Sequence, residues 1–295
     1  MTPRRGGPAD RPPALDEGWT GGAGTRRRHR GRAVWQAGGV PMVLAIPAAV
    51  ALGFLVLPLV GLVVRTPWSR LGTELFAAGV WEALRLSLLC ATLATIAATV
   101  AGVPLAWLLA RSNVPGRPLL RALVTVPLVL PPVVGGVALL AVFGRRGLAG
   151  QWLDQWFGIS LPFTTAAVVL AEAFVAMPFL VLSVEGALRG ADPRYEEAAA
   201  TLGATKWLAF RRVTLPLVAP GIAAGAVLAW ARALGEFGAT ITFAGNFPGT
   251  TQTMPLAVYV ALETDPDVAI VLSLLLLAVS VAVLAALRNR WAPTT

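Results

Sequence analysis

Long apolar stretches alternate with short charged stretches along the sequence from Pro41 onward. Six apolar runs are close to or above the ~20 residues that a bilayer-spanning helix needs. They are Pro41–Val64, Ala83–Ala110, Ala122–Phe143, Thr164–Val184, Val218–Phe243 and Ala269–Leu287. With 56% hydrophobic residues, 13% charged residues and a mean hydropathy of +0.71, the composition excludes an ordinary soluble protein. We therefore predict an all-α integral membrane protein with about six transmembrane helices.

The positive charges indicate the orientation of these helices. If the N-terminal tail is inside, the inside segments carry 18 basic residues, whereas the outside segments carry four: Arg65, Arg70, Arg145 and Arg146. The positive-inside rule then predicts that both termini are cytoplasmic. The net charge of +9 does not indicate a nucleic-acid partner, because the arginines lie in the tail and in loops rather than on one folded face.

Residues 1–39 contain eight arginines among many glycines and prolines, which is typical of a disordered basic tail. A twin-arginine export signal around Arg26–Arg28 is an alternative. We do not favour it, because the apolar run that follows has 24 uncharged residues and is too long for a signal peptide. We predict a cytoplasmic tail over residues 1–39 and a transmembrane domain over residues 40–290.

The third apolar run is interrupted by helix-breaking residues. Pro131 and Pro132 are followed closely by Gly135 and Gly136, so the helix should break near the middle of the membrane. The two prolines are candidates to line a transport path.

The segment Asp192–Pro216 is a polar hairpin between two apolar runs. Asp192 is suited to cap a first helix, and Gly203 to take the left-handed conformation that ends it. Thr205 is suited to cap a second helix, which we expect over Lys206–Val213. These features alone are also typical of an ordinary loop in a membrane protein.

The spacing within this hairpin carries more information. Glu197-Ala198-Ala199, three residues, Gly203, nine residues and then Val213-Thr214-Leu215-Pro216 resemble the EAA motif of the membrane subunits of ABC importers. Val213 stands where the motif commonly has isoleucine. The resemblance implies a type I ABC importer permease fold, with the hairpin as a coupling helix that binds a groove of a cytoplasmic ATPase subunit. The implied coupling residues are Glu196, Glu197, Ala198, Ala199, Gly203, Leu215 and Pro216.

A second resemblance concerns the region around the fifth apolar run. The segments Ala231–Thr240, Ala244–Pro255 and Leu256–Tyr259 are similar to the molybdate branch of these permeases, and sulfate permeases are similar in the same place. The resemblance spans about Pro41 to Arg290. It implies a permease subunit for molybdate, with tungstate as a further oxyanion, whereas a sulfate or thiosulfate permease remains the alternative.

The same resemblance implies the assembly and its location. The expected partners are a second copy of this chain, two cytoplasmic ATPase subunits and an extracytoplasmic molybdate-binding protein, in the bilayer of a bacterial cell membrane. This chain itself has no G-x-x-x-x-G-K-[ST] loop, because its only lysine, Lys206, follows Thr205 instead of glycine. We expect the chain to be no enzyme and to bind no cofactor, with ATP and Mg used by the partner ATPase.

Two other classes of protein fit less well. A secondary transporter usually has two halves with matching broken helices, and we find no convincing internal repeat. An intramembrane enzyme would need a nucleophile and a base that face each other inside the bilayer, and the candidates Glu172, Arg232 and Glu236 could do only acid/base chemistry. The only cysteine and the only histidine are Cys90 in an apolar run and His29 in the tail, so a metal site in the bilayer is not expected either.

Three ionisable residues lie inside the predicted helices. Arg232 and Glu236 are four residues apart and can pair on one helical face, and Glu172 lies at a similar depth. Such residues face a polar cavity or a partner. They either form a purely structural ion pair, Arg232 with Glu236 or Glu172, or belong to a path for a tetrahedral dianion. The candidate path residues are Glu172, Arg232, Glu236, Thr240, Pro131 and Pro132.

Overall fold

The computed structural model describes residues 42–77 and 79–288, and this part of the chain contains helices and no strands. The predicted basic tail, residues 1–39, lies outside the described residues. The helices in chain order are α1 (Met42–Arg65), α2 (Leu71–Leu75), α3 (Val80–Arg111), α4 (Arg117–Val129), α5 (Pro132–Phe143), α6 (Gly150–Phe157), α7 (Thr165–Gly190), α8 (Arg194–Thr201), α9 (Lys206–Ala209), a π-helical turn (Phe210–Thr214), α10 (Leu215–Leu234), α11 (Gly238–Ala244), α12 (Met254–Thr264) and α13 (Pro266–Arg288).

The chain divides into two compact units after Leu55. The described part of the first unit is the beginning of α1, and the second unit contains the end of α1 and all other helices. The following description concerns the second unit.

Five helical segments in the described chain are long and apolar enough to cross a membrane: α1, α3, α7, the continuous segment from Lys206 to Leu234, and α13. A sixth span results if α4 and α5 are counted together. The prediction of about six membrane-spanning helices is therefore confirmed.

The third predicted run is two helices rather than one straight span. Helices α4 and α5 are separated by Leu130 and Pro131 and enclose a bend of 118°. Leu130 and Pro131 both have extended ψ angles, 128° and 133°, because a residue before proline is sterically excluded from the helical region. The predicted interruption at Pro131 and Pro132 is confirmed, and the bend is so sharp that the run Ala122–Phe143 is divided between two separate helices.

The fifth predicted run is also broken, and here the sequence-based expectation was wrong. Helix α10 ends at Leu234, and α11 begins at Gly238, so Val218–Phe243 is not one helix. The carboxylate of Glu236 accepts a hydrogen bond from the backbone N–H of Ala239 at 2.8 Å and thereby caps α11. The side chain of Glu236 competes with the helical hydrogen bonds that a continuous α10 would need.

Three short helices were not predicted: α2, α6 and α12. They have five, eight and 11 residues and are all shorter than a span. Helices of this length are too short to form apolar runs of ~20 residues, so the hydropathy pattern assigns these regions to loops between spans.

The largest apolar core lies where α3, α7 and α10 meet. Eight of its 15 buried members are alanine, so the helix backbones approach closely. On α10, a Cβ atom at Gly221 would lie 2.3 Å from the Cβ of Ala187, and one at Gly225 would lie 2.9 Å from the Cβ of Ser183. The Ser183 hydroxyl also donates a hydrogen bond to the carbonyl of Gly221 at 3.1 Å. These contacts are of the small-xxx-small type that joins helices in lipid.

An ion-pair cluster joins two connections at the end of the helix bundle remote from the hairpin. Arg70, which precedes α2, pairs with Glu74 at 3.0 Å, with Asp265 at 3.0 Å and with Asp267 at 3.2 Å. The hydrogen bond from Arg70 lowers the pKa of Asp265 below its ordinary value of 3.8, so Asp265 is charged at neutral pH. The cluster ties the α2 region to the turn between α12 and α13.

We predict that Gly221→Ala lowers the unfolding temperature of the detergent-solubilised protein. The new methyl group has no room against Ala187, so α7 and α10 must move apart, at a cost of about 1–3 kcal/mol. The matched control is Gly186→Ala on α7, where an added Cβ meets nothing within 4 Å. The control should be neutral or stabilising, because alanine favours a helix by about 1 kcal/mol over glycine. Equal unfolding temperatures for the two variants would contradict the proposed role of Gly221.

Candidate functional site

The hairpin is built as its sequence predicts at its start and at its corner. Asp192 accepts a hydrogen bond from the backbone N–H of Arg194 at 2.9 Å, where α8 begins. Gly203 has a φ angle of +83°, the left-handed region that glycine adopts without strain. Thr205 then accepts a hydrogen bond from the N–H of Leu208 at 3.3 Å and caps the next helix. The predicted order of helix, glycine corner and helix is confirmed.

The second helix of the hairpin differs from the expected Lys206–Val213. Its α-helical part ends at Ala209, and the chain then continues through the π-helical turn Phe210–Thr214 directly into α10. Pro216 lies in the first turn of α10, where its missing N–H is tolerated beside the wider π turn. No loop therefore separates the hairpin from the membrane-spanning helix.

Glu196 attaches the hairpin to the helix bundle. One of its carboxylate oxygens lies 3.3 Å from Nε of Arg111, at the end of α3, and accepts a hydrogen bond from the Thr214 hydroxyl at 3.0 Å. Arg111 also donates to the carbonyl of Ala191 at 2.9 Å, and Thr214 is buried. Glu196 thus joins α8, α3 and the base of α10 in one polar junction.

The neighbouring carboxylate, Glu197, has a different environment. Its side chain is exposed, and within the described residues it takes part in no ion pair. Ala198, Leu202 and Gly203 are exposed as well, and Leu202 has 89% of its surface accessible. Ala199 is half-buried, as is Leu215. The two adjacent glutamates therefore face different surroundings, Glu196 the bundle and Glu197 open space.

Sequence reasoning missed a second ionic junction at the hairpin end of the bundle. Glu185, which is buried in α7, pairs with Arg121 of α4 and with Arg189 at 3.1 Å. In the sequence these arginines indicate only the topology. The available signal was Glu185 itself, an acidic residue within a turn and a half of the end of an apolar helix.

Arg232 and Glu236 form the predicted ion pair at the break between α10 and α11. Nη2 of Arg232 lies 2.6 Å from one Glu236 oxygen, and the other oxygen caps α11. Glu236 is almost fully buried, at 1% exposure, whereas the Arg232 side chain is 28% exposed. Arg232 does not pair with Glu172, so of the two predicted pairings only the one with Glu236 occurs.

Glu172 and Thr240 are buried polar residues near this pair. Oε2 of Glu172 and the hydroxyl of Thr240 have no hydrogen-bond partner in the described part of the chain. The residues beside them, Ala171 of α7 and Ala239 of α11, belong to the same buried apolar cluster. Buried polar atoms without a partner are rare and costly, so this region is a candidate functional site and not only a place where helices pack.

The two helix breaks contact each other. A Cβ atom at Gly238, the first residue of α11, would lie 2.9 Å from the Cβ of Pro132, the first residue of α5. The break at Pro131 and Pro132 is thereby placed beside the break that contains Glu236. Irregular backbone and ionisable groups meet here inside the membrane domain, an arrangement typical of cavities and transport paths. The described residues contain no cluster of three histidine, cysteine, aspartate or glutamate side chains that could hold a metal ion.

Comparison with known proteins gives the family of this chain. The sequence profile described as "Binding-protein-dependent transport system inner membrane component" matches residues 102–292, a range that includes the hairpin and the charged break. The molybdenum transport system permease protein ModB of Mycobacterium tuberculosis is 50% identical over 83% of this chain and 92% of its own. ModB of Escherichia coli is 44% identical over 72% of this chain and 92% of its own.

The sulfate transport system permease protein CysT of Escherichia coli is 39% identical over 78% of this chain and 84% of its own. Among solved structures, a bacterial ABC transporter involved in the import of the acidic polysaccharide alginate has a similar fold, with a TM-score of 0.69 at 17% identity over 86% of this chain and 95% of the other. The chain belongs to the family of inner membrane components of binding-protein-dependent transport systems.

Proposed function

We propose that this chain is the permease subunit of an ATP-driven importer of molybdate, with tungstate as a further substrate. The observation that carries the permease role is the hairpin. The first part of its EAA-type segment is exposed, and its last part continues directly into a membrane-spanning helix. The choice of molybdate is supported by the 50% and 44% identity to molybdenum permeases. Sulfate is the second candidate, supported by the 39% identity to a sulfate permease.

The assembly we propose contains two copies of this chain, two cytoplasmic ATPase subunits and an extracytoplasmic molybdate-binding protein, in a bacterial cell membrane. The ATPase subunits use ATP and Mg, whereas this chain binds no cofactor and catalyses no reaction. With both termini inside, the hairpin is cytoplasmic and within reach of the ATPase subunits. The excess of 18 basic residues inside over four outside supports this orientation.

Glu196 and Glu197 have separate roles in coupling. Glu197 presents a charge to the ATPase groove, and the small side chains of Ala198 and Gly203 let the partner approach. Glu196 holds the base of the hairpin through Arg111 and Thr214, so a displacement of α8 moves the end of α3 and the start of α10 together.

The movement is carried into the membrane by one continuous helical segment. From Lys206 to Arg232 the segment rises about 39 Å, at ~1.5 Å per residue, which is enough to connect the cytoplasmic surface with the charged break. A shift of the hairpin would therefore move Arg232 relative to Glu172 and Thr240, which lie on α7 and α11.

The charged break is the proposed contact for the anion. Arg232 is partly accessible and supplies positive charge, while Glu236 and Glu172 limit the affinity. Weak binding is what a transport path requires, since a tight site would trap its ion. The hydroxyl of Thr240 offers a hydrogen-bond donor, and the breaks at Pro131 and Pro132 provide irregular backbone beside it.

We predict that Glu197→Lys and Gly203→Val abolish uptake while the protein still inserts in the membrane. The lysine reverses the charge presented to the ATPase, and valine resists the left-handed backbone by roughly 1–2 kcal/mol. Uptake into cells and co-purification of the ATPase subunit with the tagged permease measure the two effects. The controls are Glu197→Asp and Gly203→Asn, which keep the charge and tolerate the backbone. Wild-type uptake and co-purification in both disruptive variants would refute the coupling role.

The substrate is tested by uptake of radiolabelled molybdate in the presence of unlabelled competitors. We expect excess tungstate to reduce molybdate uptake strongly and the same excess of sulfate to leave it nearly unchanged. Equal competition by sulfate, or transport of labelled sulfate at a comparable rate, would favour the sulfate alternative.

We predict that the double variant Arg232→Gln, Glu236→Gln assembles with the ATPase but loses molybdate uptake. The double change avoids an unpaired buried carboxylate, which in the single variant Arg232→Gln would cost about 3–5 kcal/mol. The new glutamine at position 236 retains an oxygen that can accept the N–H of Ala239. Assembly is checked by co-purification and function by uptake. Normal uptake in the assembled double variant would restrict the pair to a structural role.

A further inference from the structure

A narrow aromatic groove lies between the end of α3 and the helical segment that follows the glycine corner. Its lining residues are Pro104, Trp107, Lys206, Trp207 and Phe210, and its volume is about 300 Å³. The ring of Phe210 stands edge-on to Trp107, with centroids 6.3 Å apart, and stacks on Trp207 at 5.7 Å. We name this feature the aromatic groove. It is apolar except for the ammonium group of Lys206.

The depth of the aromatic groove corresponds to the membrane boundary. Trp107 and Pro104 precede the last residue of α3, Arg111, by four and seven positions, which is about 6 and 10 Å along the helix axis. Arg111 contacts the hairpin through Glu196, so this is the hairpin end of α3. The interfacial region of a bilayer is roughly 5–8 Å deep on each side, so the groove spans the level where headgroups meet acyl chains. Tryptophan is enriched at this level.

The charge around the groove is positive and uncompensated. Lys206 lies in the groove, and Arg211 and Arg212 follow on the same helical segment, with all three side chains exposed. None of the three forms an ion pair with a carboxylate in residues 42–77 and 79–288. The acidic residues nearest in sequence, Glu196 and Glu197, lie on α8, and Glu196 is already paired with Arg111.

We propose that the aromatic groove binds an anionic phospholipid of the inner leaflet. An acyl chain would lie against Trp107, Trp207 and Phe210, and the phosphate would be held by Lys206 with the neighbouring arginines. Each part of such a lipid meets the matching chemistry, since the three aromatic rings supply apolar surface and Lys206, at the start of the segment, supplies positive charge at headgroup level. A lipid in this position would support the hairpin at its junction with α10, beside the face proposed for the ATPase.

The proposal goes beyond molybdate import and is tested without measuring transport. The complete complex of permease and ATPase subunits is purified, supplied with phosphatidylglycerol or phosphatidylcholine, and analysed by native mass spectrometry for retained lipid. We expect the wild-type complex to retain phosphatidylglycerol in preference to phosphatidylcholine. Lys206→Gln should lower the retention of phosphatidylglycerol about fivefold, the factor that corresponds to ~1 kcal/mol per basic residue at a membrane surface.

Two further variants distinguish a specific site from general attraction. Arg194→Gln removes one positive charge from the same hairpin but outside the groove, so it should leave lipid retention unchanged. Trp207→Ala should lower the retention of both lipids, because it removes an apolar wall. Trp207 is 68% exposed, so its replacement leaves no cavity in the protein.

Several results would overturn the proposal. Equal retention of the two lipids by the wild type would exclude an anionic headgroup site. An equal effect of Lys206→Gln and Arg194→Gln would reduce the preference to general electrostatics. A complex that retains no lipid, while the permease separated from the ATPase does, would mean that a protein partner covers the groove.

A complex that retains the lipid but transports sulfate would support the lipid site and contradict only the choice of molybdate.

Discussion

Close contact between α7 and α10 is the constraint on which the arrangement of the described helices depends. In lipid, apolar side chains gain nothing by leaving one apolar surface for another, so helices associate through close packing and hydrogen bonds. Gly221 and Gly225 let α10 approach Ser183 and Ala187 to distances that any side chain would prevent. The hydrogen bond between Ser183 and Gly221 adds a polar contact at the same place. Because α3 packs against both helices, the three together form a frame. This frame holds the hairpin at one end of the bundle and positions the breaks before α5 and α11.

The same frame explains why the hairpin is more than a surface loop. Its first helix is attached to α3 and α10 by Glu196, and its second helix is the beginning of α10 itself. An attached and continuous structure transmits displacement, whereas a flexible loop would absorb it. The π turn between Ala209 and Leu215 is the irregular element in the helical connection from the hairpin to α10. π-helical turns of this kind are frequent at functional sites.

The buried charges have a related logic. The backbone at the two breaks cannot form all its helical hydrogen bonds, and a carboxylate from the chain itself, Glu236, satisfies one of the freed N–H groups. That carboxylate then requires a positive partner inside the membrane, and Arg232 supplies it four residues earlier. Glu172 adds a second carboxyl group with an oxygen that has no partner in the described residues. These side chains make the region polar, and it lies at the end of α10, the helix that continues from the hairpin.

The sequence by itself determined the class of protein, the number of spans to within one, and the position of the hairpin. Length and hydropathy decide the class and the spans, because a bilayer imposes a minimum length on every spanning helix, whereas the spacing of the EAA-type motif identifies the hairpin. It also determined the caps at Asp192 and Thr205 and the corner at Gly203, since these depend on local backbone chemistry. Only the tertiary structure decided that Val218–Phe243 is broken at Glu236 and that the break lies against Pro132. Only the structure shows that Glu196 faces the helix bundle while Glu197 is exposed, and that Glu185 pairs with Arg121. These features depend on which side chains of different helices are in contact. The hydrophobic periodicity of the sequence contains no information on such contacts.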